Sequence, residues 1–311
     1  MAIYHSLNEL IGQTPLLKLT NFAIPTGVSI YAKLEFFNPG GSVKDRLGVA
    51  LIENALETGM ITPGGTIIEP TAGNTGIGLA LAARERNINV IFCVPEHFSI
   101  EKQTIMQALG AKIVHTPRED GMTGAIKKTN ELLAKIPNSF SPQQFDNAAN
   151  PATYYKTLAP EIWEDLQGEV DIFVAGAGTG GTFMGCASFL KEKNEAIKTV
   201  IVEPEGSIIA GGNPGSHRTE GIGMEFFPPF IDTSYFDQIY TVSDEDAFRM
   251  VESLAKNEGL LVGSSSGAAM VAAVKEAQKA KAGTKIVTIF PDSSDRYLSK
   301  NIYPQVISTE V

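Results

Sequence analysis

The sequence predicts an α/β protein made of two three-layer α/β/α units on mostly parallel sheets. Three observations lead there. Strand-like and helix-like segments alternate between residues 66 and 134, in units sized for parallel strands with helical crossovers. A polar, proline-marked stretch, Pro137 to Pro151, interrupts the alternation, which then restarts. Glycine-rich turns stand between a strand and a helix on both sides of that stretch. That stretch is the candidate crossing between two expected units, a smaller one at 40–148 and a larger one at 1–39 with 149–311.

Taken in order, a short helix at Leu7 to Leu10 precedes two strand-like runs, Leu16 to Leu19 and Ser29 to Glu35. Asn38-Pro39-Gly40-Gly41-Ser42-Val43-Lys44-Asp45-Arg46 then forms a loop running into a helix. Ser42 suits an N-cap, and Leu47, Ala50, Leu51 and Ala55 share one face. The strand Thr66 to Pro70 leads through Thr71-Ala72-Gly73-Asn74-Thr75-Gly76 into a helix of small residues ending near Ala83. Further strands fall at Asn89 to Val94 and Lys112 to His115, with helices at Ser99 to Leu109 and Met122 to Ala134. After the crossing come a helix from Thr153 to Leu166 and a strand from Val170 to Ala175. A glycine turn, a helix from Thr182 to Lys193 and a strand from Thr199 to Val202 follow. Residues 204–234 are rich in glycine and proline without periodicity, a length at which loops tend to carry function. Helices Asp244 to Glu258 and Ser265 to Ala282 and the strand Lys285 to Phe290 close the chain.

Composition removes several classes of function. With 25 basic and 35 acidic residues among 311, the net charge of −10 argues against a nucleic-acid footprint. His5, His97, His115 and His217 lack metal-ligand spacing, so no metal site is expected. Cys93 and Cys186 sit in apolar runs and suit reduced thiols, the residues Met1 to Leu10 lack a signal-peptide pattern, and no apolar run has membrane-spanning length. A cytoplasmic protein is expected.

Lys44 is the first residue that asks for chemistry. In the first turn of a helix an ammonium faces the positive end of the dipole, so the amine is easier to deprotonate and suited to a Schiff base. A solvated lysine is the plainer alternative. Gly176-Ala177-Gly178-Thr179-Gly180-Gly181-Thr182 is a strand-to-helix turn of the kind that binds anions. It also satisfies the dinucleotide fingerprint through Gly176, Gly178 and Gly181, with Glu203 ending the next strand. Against that, a complete strand–helix–strand region precedes it. A lysine imine together with a phosphate cradle describes pyridoxal phosphate.

With these residues in place, the chain resembles the cysteine synthase and cystathionine β-synthase family, fold type II of the pyridoxal-phosphate enzymes. The resemblance runs from Leu10-Ile11-Gly12-Gln13-Thr14-Pro15 to Asp292-Ser293-Ser294-Asp295-Arg296-Tyr297-Leu298-Ser299. It implies Lys44 as Schiff-base residue and proton carrier. It implies Asn74 on the cofactor's phenolic oxygen, and Gly178, Thr179, Gly180, Gly181 and Thr182 as phosphate cup. Ser265 would face the pyridine nitrogen; its other reading is the N-cap of the helix that follows. Thr71, Ala72, Gly73, Thr75 and Gln144 would hold the substrate carboxylate, with Ala72 standing where most of the family has serine. Glu220, Gly221 and Gly223 would form a wall near the nucleophile, Glu220 being the residue of cystathionine synthases where many cysteine synthases have glutamine.

The resemblance thus implies a transferase performing β-replacement on O-acetylserine by a thiol, homocysteine giving cystathionine. Sulfide giving cysteine is the alternative or a second activity, and the serine or threonine dehydratases share the fold. No haem segment precedes the family core and no regulatory tandem follows it, which suits a bacterial-type enzyme. Expected partners are small molecules and a second copy in a homodimer, with docking of a serine acetyltransferase another that the family allows.

Overall fold

The computed structural model describes residues 3–71, 73–96 and 99–303. The expectation for Ala72 lies outside them. The chain enters through β1 (Leu16–Leu19) and β2 (Ser29–Leu34), crosses α1 (Lys44–Glu57), and reaches β3 (Thr66–Glu69). It continues through α2 (Asn74–Arg84), β4 (Asn89–Pro95), α3 (Ile100–Ala108), β5 (Lys112–Thr116), α4 (Gly121–Leu133) and β6 (Ser139–Phe140). Then follow α5 (Ala149–Lys156), α6 (Leu158–Asp165), β7 (Ile172–Gly176), α7 (Gly181–Lys193) and β8 (Lys198–Pro204). A long loop leads to β9 (Gln238–Val242), α8 (Asp244–Glu258), α9 (Ser264–Ala277) and β10 (Lys285–Phe290).

Two sheets result. One is all parallel in the order β5-β4-β3-β6; the other runs β1-β2-β10-β7-β8-β9, with only β1 antiparallel. Both are covered on both faces, as period-two side-chain alternation requires of a buried parallel sheet. In the smaller sheet Ile68 and Cys93 pack with Ala125 of α4, while Ile67, Val90 and Phe92 join the core under α1 and α2. In the larger, Phe173, Ala175, Ile201 and Val287 meet the face of α5, α6 and α7, and Val174, Val200 and Ile286 meet α8 and α9. The α1–α2 core and the α5–α7 core are one continuous apolar cluster, so the two sheets share an interior.

Helices α1 and α2 touch through glycine. A Cβ on Gly48 would fall 2.2 Å from the Gly78 carbonyl carbon, and one on Gly78 would fall 2.4 Å from the Lys44 carbonyl oxygen. Only two side chains reduced to hydrogen permit that approach.

A buried ion network fixes the start of α1. Arg46 Nε lies 2.8 Å from Glu35, and Arg46 Nη1 lies 2.6 Å from Glu161 of α6. Lys33 of β2 reaches Glu161 at 3.1 Å and Asp165 at 2.9 Å, and the Thr14 hydroxyl donates to Glu35 at 2.6 Å. The N-cap is Val43 and not Ser42 as the sequence suggests: Ser42 stands one residue too early, and its Oγ accepts only from the Lys44 amide at 3.2 Å, while the Asp45 carboxylate turns back to the Gly40 amide.

Three further features depart from the sequence pattern. The single helix expected over 153–166 is two, broken at Thr157 (φ −123°), because the ring of Pro160 displaces the carbonyl four residues back. Its start moves to Ala149, since Pro151 sits in the first turn, where a missing N–H costs nothing. The stretch Pro137 to Pro151 also contains β6, and β9 is an additional edge strand whose mixed exposure hides any alternation.

Removing Arg46 leaves the buried Glu35 without its cation and strips the part-buried Glu161 of one of its two. Arg46→Ala is therefore expected to lower stability by about 3–5 kcal/mol, read from urea unfolding. A loss below about 1 kcal/mol would show the network to be dispensable.

Candidate active site

In parallel sheets ligand sites form beyond the carboxyl ends of the strands, and here residues just past β3, β7 and β10 face a common space. A cavity of about 510 Å³ opens there, and a second of about 30 Å³ shares Lys44, Gly178 and Thr179 in its lining.

Lys44 is the cation common to both. It is partly buried, its Nζ 5.7 Å from the centroid of the Tyr154 ring. Burial lowers its ammonium to about 8, against the opposing pull of Asp292 and Glu35. The amine is thus available near neutral pH, as its place at a helix start suggests.

The glycine turn after β7 is shaped by close approach. Gly180 caps α7 with φ +83°, and its Cβ would strike the Ile231 side chain at 2.3 Å. A Cβ on Gly178 would meet the Gly221 carbonyl oxygen at 2.4 Å, and one on Gly181 the Asn150 Oδ1 at 1.9 Å. Gly180 and Thr182 line the smaller cavity, at the positive end of the α7 dipole. Glu203, the acid a dinucleotide reading needs, is buried: its carboxylate accepts from the Ile209 and Ala210 amides and the Thr241 hydroxyl. It braces the long loop and does not face either cavity.

The turn after β3 forms the opposite wall. Thr71, Gly73, Asn74 and Thr75 line the larger cavity, where the first-turn amides of α2 lack intrahelical partners. The Thr75 hydroxyl donates to Gln144 Oε1 at 2.7 Å, which leaves the Gln144 amide nitrogen as a pair of donors. Gln144 is itself placed by the buried Glu69, which accepts from Ser141 Oγ at 2.6 Å and from the amides of Gln143 and Gln144. Burial pushes the Glu69 carboxyl up.

Ser265 lines the same cavity one residue inside α9, whose N-cap is Gly263; the capping alternative for Ser265 is therefore wrong. Glu220, Gly221 and Gly223 complete the wall, and the Gly223 amide ties the loop to the Ala177 carbonyl at 2.8 Å. The Glu220 carboxylate is paired with Lys102 at 2.7 Å, so it is not the solvated glutamate that its residue type suggests.

Sequence reasoning missed four residues here. Lys102 of α3 stacks on Tyr297, 4.4 Å from the ring centroid, and Asp292 and Arg296 meet Asn74. Asn150 donates to the Gln144 carbonyl at 2.8 Å and to Thr179 Oγ1 at 3.0 Å, linking the two walls. Only Asp292 carried a signal, as a carboxylate directly after an apolar parallel strand.

Comparison with known proteins shows the family. The chain is 66% identical over 303 residues to an O-acetylserine dependent cystathionine beta-synthase of Bacillus subtilis, covering 97% of this chain and 99% of the relative. It is 57% identical to a cysteine synthase of Helicobacter pylori, over 97% of this chain and 100% of that one. The crystal structure of an O-acetylserine dependent cystathionine beta-synthase from Helicobacter pylori superposes with a TM-score of 0.93 at 56% identity, covering 97% of this chain and 100% of that one. A family model described as pyridoxal-phosphate dependent enzyme matches residues 7–292. Its cofactor brings an aldehyde and a phosphate, and the chain offers a depressed amine beside a cradle that any Cβ would fill. The chain belongs to the pyridoxal-phosphate dependent enzymes, with the two-sheet fold of the cysteine synthase and cystathionine β-synthase group.

Proposed function

We propose that this enzyme replaces the acetyl ester of O-acetylserine with a thiol, homocysteine giving cystathionine and sulfide giving cysteine as a second activity. One observation carries the choice of nucleophile: Lys102 and Glu220, a cation and an anion, stand paired in the same cavity as Lys44. Homocysteine brings a carboxylate and an ammonium that such a pair can receive; sulfide brings neither.

Lys44 would anchor pyridoxal phosphate, with Gly178 to Thr182 around the phosphate, Asn74 at the phenolic oxygen and Ser265 at the ring nitrogen. When bound, the cofactor supplies an electron sink for the pair left by a broken Cα–H bond. The α2 amides and the Gln144 amide nitrogen receive the substrate carboxylate, which aligns Cα with Lys44. The Lys44 amine takes the Cα proton, acetate leaves from Cβ, the thiol adds there as its thiolate with its own proton released alongside acetate, and Lys44 returns the proton to Cα. The Ser265 hydroxyl, unlike a carboxylate, does not hold a ring nitrogen protonated. A weaker electron sink favours prompt elimination over long-lived carbanion chemistry.

The two sheets would be the cores of two units, 40–148 around the substrate loop and 1–39 with 149–311 around the phosphate cup. A homodimer and a cytoplasmic location belong to the same reading. Cys93 and Cys186 are free and buried, and no described helix is long and apolar enough to cross a membrane.

Purified protein given O-acetylserine and homocysteine is expected to yield cystathionine; given O-acetylserine and sulfide it yields cysteine. Absence of both products would overturn the assignment.

Borohydride reduction followed by peptide mapping should place the pyridoxyl group on Lys44. In the cofactor-free protein the rate of recombination with pyridoxal phosphate should rise with pH around a midpoint near 8, because only the free amine adds to the aldehyde. A midpoint near 10.5 would mean that Lys44 is solvated.

Glu220→Gln keeps shape and removes charge. A charge-assisted hydrogen bond is worth about 1.5–3 kcal/mol, and Lys102 already occupies Glu220, so the lower end applies: roughly a tenfold loss of kcat/KM for homocysteine. The sulfide rate should change little. Equal losses for both nucleophiles would reduce Glu220 to a support of its loop.

A further inference from the structure

Asp292 is a buried carboxylate of the site with no part in the proposed reaction. It follows β10, is 2% exposed, and lines the larger cavity. Its Oδ2 accepts from Asn74 Nδ2 at 2.6 Å and from the Tyr297 hydroxyl. At the other end of the same amide, Arg296 Nη1 donates to Asn74 Oδ1 at 2.7 Å. A guanidinium has no acceptor and a carboxylate offers acceptors, so the two partners decide which end of Asn74 is nitrogen and which is oxygen. Turning the amide over would replace two hydrogen bonds with two repulsive contacts. In the observed orientation one Asn74 N–H and one lone pair remain uncommitted.

Arg296 has a second arm. Its Nη2 donates to the Gly40 carbonyl, in the loop that precedes Lys44. A Cβ on Gly41 would fall 2.4 Å from that nitrogen, so the glycine there makes room for the guanidinium. One side chain therefore holds both the lysine loop and the helix start that carries Asn74.

We propose that Asp292 and Arg296 are positioning residues that lock the Asn74 amide with its one uncommitted N–H available to the phenolic oxygen of bound pyridoxal phosphate. This rests on the reading of Asn74 as a cofactor contact. Neither residue needs to touch substrate or cofactor to act.

The test compares the holoenzymes of Asn74→Ala, Asp292→Ala, Asp292→Asn, Arg296→Lys and the double variant N74A/D292A. The readouts are bound cofactor, the visible absorption band of that cofactor, and kcat and KM for O-acetylserine. Asn74→Ala and Asp292→Ala are expected to displace the band in the same direction with cofactor content near that of the parent. Each should lower kcat roughly 3- to 10-fold, the value of one hydrogen bond, with KM within about twofold. Asp292→Asn, whose amide oxygen can still accept from Asn74, should restore most of both. In the Asn74→Ala background Asp292→Ala should add nothing, since a residue that acts through another has no effect once the other is gone. An undiminished effect in that background overturns the proposal, as does an unmoved band in Asp292→Ala beside a displaced one in Asn74→Ala. An unmoved band in Asn74→Ala overturns the cofactor reading of Asn74 and the proposal with it, so the two failures are told apart. Should Asp292→Ala lose its fold, the comparison passes to the milder pair. Arg296→Lys, a point charge that cannot span Asn74 and Gly40, should displace the band while Asp292→Asn leaves it in place; the reverse order overturns the proposal.

Discussion

The Arg46 guanidinium, out of water between Glu35 and Glu161, is the interaction on which the rest of the site depends. Burying three charges is costly, and the geometry offsets the cost only while each carboxylate keeps its donors. Arginine suits the place because its planar fork can hold both carboxylates at once. The network ties β2, α1 and α6 together two residues after Lys44, so the lysine sits on backbone that cannot drift. The same apolar surroundings that make the network unforgiving also depress the Lys44 ammonium. Rigidity and reactivity at this position have one cause, the exclusion of water.

A second consequence concerns anions. The substrate carboxylate and the cofactor phosphate would be received by two helix starts, α2 and α7, that belong to different sheets. Thr75, Gln144, Asn150 and Thr179 form a continuous line of hydrogen bonds from one helix start to the other. Helix dipoles attract anions within about a turn, so the spacing of the two starts sets the spacing of the two ligands. The shared apolar core beneath them keeps that spacing constant.

Much of this was legible in the sequence, and the reasons differ from place to place. The parallel architecture was legible because buried strands are short apolar runs between amphipathic helices. Lys44, Asn74 and the glycine cup were legible because the roles proposed for them demand local backbone features, a helix start or a residue without Cβ, that leave a mark on adjacent residues. Strands β6 and β9 were not: one has two residues and the other lies half-exposed at an edge. The break at Thr157 could have been read from Pro160. Asp292, Arg296, Lys102 and Asn150 each reach a partner far off in the chain, from 29 residues for Asn150 and Thr179 to 256 for Arg296 and Gly40, and no local pattern encodes such a meeting.

The contact of Gly48 with Gly78 has a mechanical meaning. Where two helices meet backbone to backbone there is no side-chain layer to shear, so α1 and α2 behave as a single strut. Lys44 and Asn74 ride at the same end of that strut, one on each rail, and any opening of the site for substrate must leave their separation untouched. The tolerance of the reacting geometry comes down to two hydrogen atoms, neither of which ever meets a ligand.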